Sequence, residues 1–226
     1  MGIVQTIDLE KTYQDNGVPV HALRGINLTI EKGEFTVIAG PSGSGKTTLL
    51  NLIGALDKPT KGRVLLEDTD ISSLKRDALG ELRLHKIGFV FQAYNLIPVL
   101  SAMENIEFTM MLSGIAEKER HRRVREVMQE LGSEALAGKR PNEMSGGQQQ
   151  RVAVARAIVN NPTLVLADEP TANLDTDTGA ELLNLMETMN REHNITFIFS
   201  SHDPQVIERA RRLLILKDGM IAEERS

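Results

Sequence analysis

Short apolar runs bounded by glycine-rich or polar turns divide the chain into stretches of different rhythm. Ile3 to Leu9 and Ile26 to Ile30 read as short strands, with Asp15-Asn16-Gly17 as a turn signal between them. Phe35 to Ala39 is an apolar run of strand length broken only by Thr36, and Leu49 to Leu56 is the apolar body of a helix. After the turn Lys58-Pro59-Thr60-Lys61-Gly62, Arg63 to Glu67 predicts a strand, Leu74 to Leu84 a polar helix or loop, and Ile87 to Phe91 a strand ending at Gln92.

From Ala93 to about Val159 the rhythm becomes helical, with Val124, Val127, Met128 and Leu131 recurring on one face. The charge run Glu117-Lys118-Glu119-Arg120-His121-Arg122-Arg123 reads as the solvated side of that helix. Strand signals resume at Leu164 to Ala167, Ile195 to Phe199 and Leu213 to Leu216, each after a helical stretch. Strands alternating with helices imply a parallel sheet with right-handed crossovers. The expectation is an α/β domain over 1–226, with a lobe of 1–92 and 159–226 interrupted by a helical lobe over 93–158, and an antiparallel β edge from the first strands.

Composition narrows the function classes. With 226 residues, 41% hydrophobic and 25% charged, the chain has the balance of an ordinary soluble protein with a real core. The absence of cysteine excludes disulfides and thiolate metal sites and makes a cytoplasmic setting the default. The first ten residues carry Asp8 and Glu10 and lack the features of a signal peptide. No run approaches the ~18 apolar residues of a membrane span, so a membrane role requires another chain. A net charge of −5 argues against a surface that coats nucleic acid.

The candidate chemistry begins at Gly40-Pro41-Ser42-Gly43-Ser44-Gly45-Lys46-Thr47-Thr48, which matches the phosphate-binding pattern G-x-x-x-x-G-K-[ST] between a strand and a helix. A loop that wraps a phosphate must turn tightly and aim successive N–H groups inward, which the three glycines permit. Lys46 then faces the β- and γ-phosphates, Thr47 offers a hydroxyl to Mg²⁺, and the helix N-terminus adds its partial positive charge. Leu164 to Ala167 ends in Asp168-Glu169, which suits Asp168 to holding Mg²⁺ and Glu169 to polarising a water for attack on the γ-phosphate. Gln92 follows a strand and can complete the metal shell, and His202 follows another and can donate to a phosphate oxygen. Tyr13 is either a packing residue or a flat surface for a purine. Ser145-Gly146-Gly147-Gln148 opens a second helix and forms a second anion site. One γ-phosphate cannot easily touch both helix starts of one chain, so this site suits a neighbouring subunit.

Together these residues resemble the nucleotide-binding subunit of an ATP-binding cassette (ABC) transporter over essentially the whole chain. The phosphate loop, Gln92, Ser145-Gly146-Gly147-Gln148, Asp168-Glu169, Asn173-Leu174-Asp175 and His202 stand in that family's order. The resemblance implies a P-loop NTPase cassette with a RecA-like parallel core, an antiparallel β edge and an inserted helical subdomain. It assigns adenine stacking to Tyr13, Mg²⁺ ligation to Thr47 and Gln92, water activation to Glu169, γ-phosphate sensing to His202 and a cross-dimer contact to Asp175. It implies ATP and Mg²⁺, a head-to-tail dimer with a second copy, and a separate permease that holds the chain to the inner face of the membrane. Met144 replaces the usual leucine before Ser145, and Ala172 stands where many relatives have glycine.

Phe91 to Leu100 and Glu104-Asn105-Ile106 look like the lipoprotein-release and macrolide-efflux branch; Leu96, Ile97, Val99 and Leu100 read either as core of the helical lobe or, as that resemblance suggests, as lining of a groove for a cytoplasmic helix of the permease. The rival reading is a soluble cassette ATPase acting on nucleic acid or ribosomes. Its usual tandem cassettes or long coiled-coil insert are not found here, and no nucleic-acid partner is expected.

Overall fold

The structure is a computed structural model and describes residues 2–225. In chain order the first elements are β1 (Gly2–Asp15), β2 (Val18–Glu31), β3 (Phe35–Ala39), α1 (Lys46–Ile53), β4 (Lys61–Leu66), β5 (Thr69–Asp70), α2 (Arg76–Lys86) and β6 (Ile87–Phe91). There follow α3 (Ala102–Leu112), α4 (Glu117–Glu130), α5 (Gly146–Ile158), β7 (Leu164–Asp168), α6 (Thr176–His193), β8 (Thr196–Ser201), α7 (Pro204–Glu208), β9 (Arg212–Lys217) and β10 (Met220–Arg225).

Six strands form a sheet in the order β10-β9-β3-β8-β7-β6. Its strands β9, β3, β8, β7 and β6 run parallel, and β10 adds the antiparallel edge. The other strands form a separate antiparallel sheet, β2-β1-β4-β5, laid over α1. Strands β1 and β2 each span 14 residues, well beyond the segments the apolar pattern marks. Asn16 and Gly17 close the hairpin with φ of 49° and 83°, the left-handed pair that a two-residue turn requires. The half of the hairpin nearest the turn is mostly exposed, so nothing selects apolar residues there although the ladder continues.

Period-2 alternation divides the parallel strands between two cores. Phe35, Val37, Val165, Ala167, Phe197 and Phe199 face the layer that holds α3 to α7. Ile38, Leu164, Leu166 and Ile198 face α1 and the antiparallel sheet. Phe35 packs on Phe199 with ring centroids 4.6 Å apart. Each fully buried side chain of this size contributes roughly 1.5–3 kcal/mol of transfer free energy. Among the described residues, the chain between β6 and β7 contains helices and turns and no strand. Its Ile106, Met110, Val124 and Met128 share one core with Val37 and Phe197, with α3 and α4 packed on α5 and α5 packed on β6. On the outer side of α4, Arg122 and Arg123 pair with Glu119, and Arg122 also pairs with Glu126. These arginines hold the Glu119 carboxyl down at about 2. The run is not wholly a solvated face, because Arg120 (3.4 Å) and His121 (3.3 Å) turn to Glu107 of α3, where the Arg120 and Glu107 side chains are largely buried.

Candidate functional site

Parallel register gathers the candidate residues at one edge. Ala39 pairs with Ser201, Ser200 with Asp168, and Asp168 with Phe91. The residues that follow each strand, Gly40, His202, Glu169 and Gln92, therefore leave the sheet side by side at its C-terminal edge, where open α/β sheets bind ligands.

The loop after β3 shows why it needs glycine. A Cβ on Gly45, whose φ is 104°, would stand 2.5 Å from the carbonyl oxygen of Ala22. A Cβ on Gly40 would collide with the carbonyl oxygen of Leu216. Gly45 caps α1 without any side-chain hydrogen bond, so the first N–H groups of that helix remain open. Lys46 is buried and folds back to donate to the carbonyls of Gly40 (2.8 Å) and Pro41 (3.1 Å). The Ser44 hydroxyl is buried with no hydrogen-bond partner among the described residues. Unpaired donors around a lysine with no carboxylate partner are what a phosphate would complete.

Lys46 and the open start of α1 border a cavity of about 530 Å³ lined by Pro41, Ser42, Gly43, Gly45, Lys46, Thr47, Thr48, Gln92, Glu169 and His202, together with Val20, His21 and Ala22 of β2; Ser44 does not line it. The β2 residues carry no motif and escape sequence reasoning. The available signal is cross-strand pairing, since Val20 lies opposite Tyr13. Tyr13 itself does not line this cavity. Its hydroxyl donates to Asp57 (2.8 Å) and Lys11 stands 4.8 Å from its ring centroid. Burial, and then Asp57, raise the Tyr13 pKa above that of free tyrosine.

At the end of β7, Asp168 faces the Thr47 hydroxyl at 3.1 and 3.2 Å. Glu169 adopts φ of 46°, an uncommon conformation for a non-glycine residue and one that recurs at functional turns. Its backbone N–H donates to Ser200 (2.8 Å), and its carboxylate accepts from the Ser201 hydroxyl at 3.0 Å. His202 Nδ1 lies 2.7 Å from the same carboxylate. An ionised carboxylate can only accept, so in that pairing Nδ1 carries the proton and Nε2 stays free. Ser201, the second partner of Glu169, lacks a motif and is missed in the sequence. Among the described residues no group of three or more His, Cys, Asp or Glu side chains could hold a metal by itself. Thr47 and Gln92 both line the cavity, and Asp168 reaches it through the Thr47 hydroxyl, so hydroxyl, amide and carboxylate oxygens make a hard-oxygen set that suits a Mg²⁺ held also by phosphates and water.

The Ser145 turn is elsewhere and does not line the cavity. Ser145 Oγ accepts from Gln148 N–H, and Gln148 Oε1 accepts from Ser145 N–H, a reciprocal cap that extends α5 back to Gly146. This turn rests on the segment after β7, because a Cβ on Gly147 would strike Thr178. Asp175 caps α6 by accepting from Thr178 N–H (2.9 Å) and its hydroxyl (2.7 Å), and these donors lower its pKa.

A second cavity, about 430 Å³, lies between α2, β6 and α3, with Leu84, Phe89, Ile97, Phe108 and Leu112 among its apolar walls and Arg83 and Arg156 at its polar positions. Of the four apolar loop residues expected to line such a groove, Ile97 does so. Leu96 packs instead against the core, and Val99 is 73% exposed. The walls come from residues distant in sequence, which a contiguous loop pattern cannot reveal.

The ABC transporter family model matches residues 23–172. An uncharacterized ABC transporter ATP-binding protein of Thermotoga maritima is 45% identical over 219 residues, covering 97% of this chain and 93% of its own length. The macrolide export ATP-binding/permease protein MacB of Syntrophobacter fumaroxidans is 42% identical over 99% of this chain, which spans 32% of that longer protein. The solved dimeric cassette MJ0796 superposes with a TM-score of 0.92 at 42% identity, covering 99% of this chain and 98% of that one; its source is Methanocaldococcus jannaschii. A second dimeric MJ0796 structure, described as a post-hydrolysis state bound to ADP and Pi, also superposes at 0.92, with 43% identity. The chain belongs to the ABC transporter family, as its ATP-binding cassette.

Proposed function

We propose that this cassette is an ATP-driven motor: two copies close head to tail on two ATP molecules, and hydrolysis reopens them to move a separate membrane permease. One observation carries the two-chain reading. The Ser145 turn lies outside the cavity that contains Lys46 and Glu169, so a nucleotide bound there meets such a turn only from a second copy. The dimeric MJ0796 cassette supports this arrangement.

In this mechanism Lys46 leaves the carbonyls of Gly40 and Pro41 for the β- and γ-phosphates, which the loop N–H groups cradle. Thr47, Asp168 and Gln92 hold Mg²⁺, which when bound neutralises charge on the phosphates. Glu169 polarises the attacking water, and Ser201 and His202 orient its carboxylate. Held through Nδ1–H, His202 donates from Nε2 to the γ-phosphate as the doubly protonated imidazolium. Tyr13 offers its exposed ring to adenine beside Val20, and Asp175 contacts the second copy.

Among the described residues no helix is long and apolar enough to cross a membrane. On this reading the cassette acts from the cytoplasmic side through a separate permease, as the ATP-binding/permease name of MacB supports. The apolar groove with Arg83 and Arg156 receives a cytoplasmic helix of that partner. The fusion of a similar cassette to a permease in MacB supports the lipoprotein-release and macrolide-efflux branch.

Mixing two inactive variants tests the two-chain site. Lys46→Ala spoils one chain's phosphate loop and Ser145→Arg spoils the other's turn, so their heterodimer keeps one intact site. Mixing is expected to restore ATPase activity that neither variant has alone, whereas a mixture as inactive as its parts would sink the head-to-tail reading. For the partner, Glu169→Gln chain with Mg²⁺-ATP should capture a permease with few spans from detergent-solubilised membranes. Ribosomal proteins or nucleic acid in its place would overturn the motor.

A further inference from the structure

Arg156 is a half-buried cation on α5 with no carboxylate beside it. Burial alone lowers its pKa, and no opposite charge among the described residues offsets this. Its guanidinium instead forks onto two consecutive carbonyls: Nη2 donates to Tyr94 (2.8 Å) and Nη1 to Asn95. Both of those residues are left-handed, with φ of 60° and 50°. Two successive non-glycine residues in that region are disfavoured, and this pair is held by backbone bonds from Tyr94 N–H to Phe91 (3.1 Å) and Asn95 N–H to Ala93 (2.6 Å) as well as by Arg156. The planar guanidinium gives each carbonyl its own nitrogen in a fixed fork, whereas an ammonium would serve both from one point.

The turn so held has an end in each cavity. Asn95 lines the apolar groove, and Gln92 lines the nucleotide cavity. Around Gln92 the backbone is fixed from two further directions: Asn173 donates to its carbonyl (2.8 Å), and the fully buried Gln150, also on α5, donates to Pro170 (2.8 Å) and more loosely to Phe91 (3.5 Å).

We propose that Arg156 is a positioning residue: by holding the strained Tyr94–Asn95 turn it sets where the Gln92 side chain enters the nucleotide cavity. This role rests on the reading of Gln92 as a Mg²⁺ ligand. A group that merely filled space would act on stability alone, but a positioning group acts through Gln92 and loses its effect once Gln92 is gone.

The test is a double-mutant cycle on the full chain with Gln92→Ala, Arg156→Met and the pair, reading the Mg²⁺ concentration for half-maximal ATPase. Each single variant is expected to raise that concentration about 3- to 10-fold and the pair no further than the larger single, with Arg156→Lys recovering part of the loss. Amide exchange without nucleotide or Mg²⁺ should quicken over residues 93–97 in Arg156→Met while α1 stays protected. Multiplying effects in the pair, or equal loss of protection in α1, would overturn the role of Arg156 and leave Gln92 as ligand. An unchanged Mg²⁺ requirement in Gln92→Ala would remove the Gln92 reading and this role with it. If Arg156→Met does not fold, the cycle with Arg156→Lys gives the same discrimination at smaller amplitude.

Discussion

Helices α1 and α5 both start at a glycine-rich turn, yet their first turns are completed in opposite ways. At α1 the cap is Gly45, no side chain satisfies the exposed N–H groups, and the adjoining lysine is turned onto its own loop. At α5 the cap is Ser145, and Ser145 with Gln148 closes a reciprocal pair. The first start has no side-chain cap and opens into a cavity beside Glu169, whereas the second has its Gln148 N–H capped by Ser145 and opens away from it. An anion bound at α1 therefore meets an uncapped start beside a lysine, but one bound at α5 meets a start that is already partly capped. This difference supports chemistry at α1 and recognition at α5.

The comparison breaks most sharply at Glu169. Glu169→Gln keeps the size of the side chain but removes the base, and turnover is expected to fall by about 10²- to 10⁴-fold with ATP binding retained. Steady-state phosphate release and equilibrium nucleotide binding measure the two halves of that statement. Near-normal turnover would move the chemistry away from the α1 side.

A smaller loss is expected at Lys46. Lys46→Ala removes a charge-assisted donor, and nucleotide affinity should drop by roughly 10- to 100-fold, the equivalent of about 1.5–3 kcal/mol. Titration calorimetry reads this directly, and unchanged affinity would mean that the folded-back lysine never leaves Gly40 and Pro41. Ser145→Ala should reverse the pattern. Loss of the cap costs about 1 kcal/mol of stability, while nucleotide affinity of the single chain stays as it was. A matching fall in affinity would place both helix starts in one site.

How far these features are readable depends on whether a function occupies contiguous residues. Gly40 to Thr48 and Asp168-Glu169 are legible because a phosphate cradle and a pair of strand-end acids each require fixed neighbours along the chain. The buried strands β3, β7 and β8 are legible too, since burial on both faces favours largely apolar runs, interrupted here by Thr36 in β3 and by Thr196, Ser200 and Ser201 in β8. The length of the β1–β2 hairpin is not, because its exposed half imposes no pattern. Nor are Ser201 and Arg156, whose partners are contributed by other elements. Leu96 shows the converse: its apolar character is plain in the sequence, but only packing decides that it faces the core and not the groove.

A third helix start sharpens the contrast with the smallest effect. Helix α6 is capped by Asp175, a carboxylate, where α5 uses a neutral hydroxyl. The N–H and hydroxyl of Thr178 lower the Asp175 pKa in the folded chain. A depressed carboxyl contributes stability that is fully present above the unfolded value of about 3.9 and is lost as pH falls through the folded one. Asp175→Asn keeps an oxygen for the Thr178 N–H but has no charge to titrate. Wild type should therefore unfold at a slightly higher temperature at pH 7, and the gap should narrow as the pH falls below about 4. Ser145→Ala, which removes a neutral cap, should show a gap to wild type that does not follow this titration. Thermal unfolding of all three from pH 7 to pH 3 separates the two kinds of cap, and a constant Asp175 gap across that range would show that its charge contributes nothing to the start of α6.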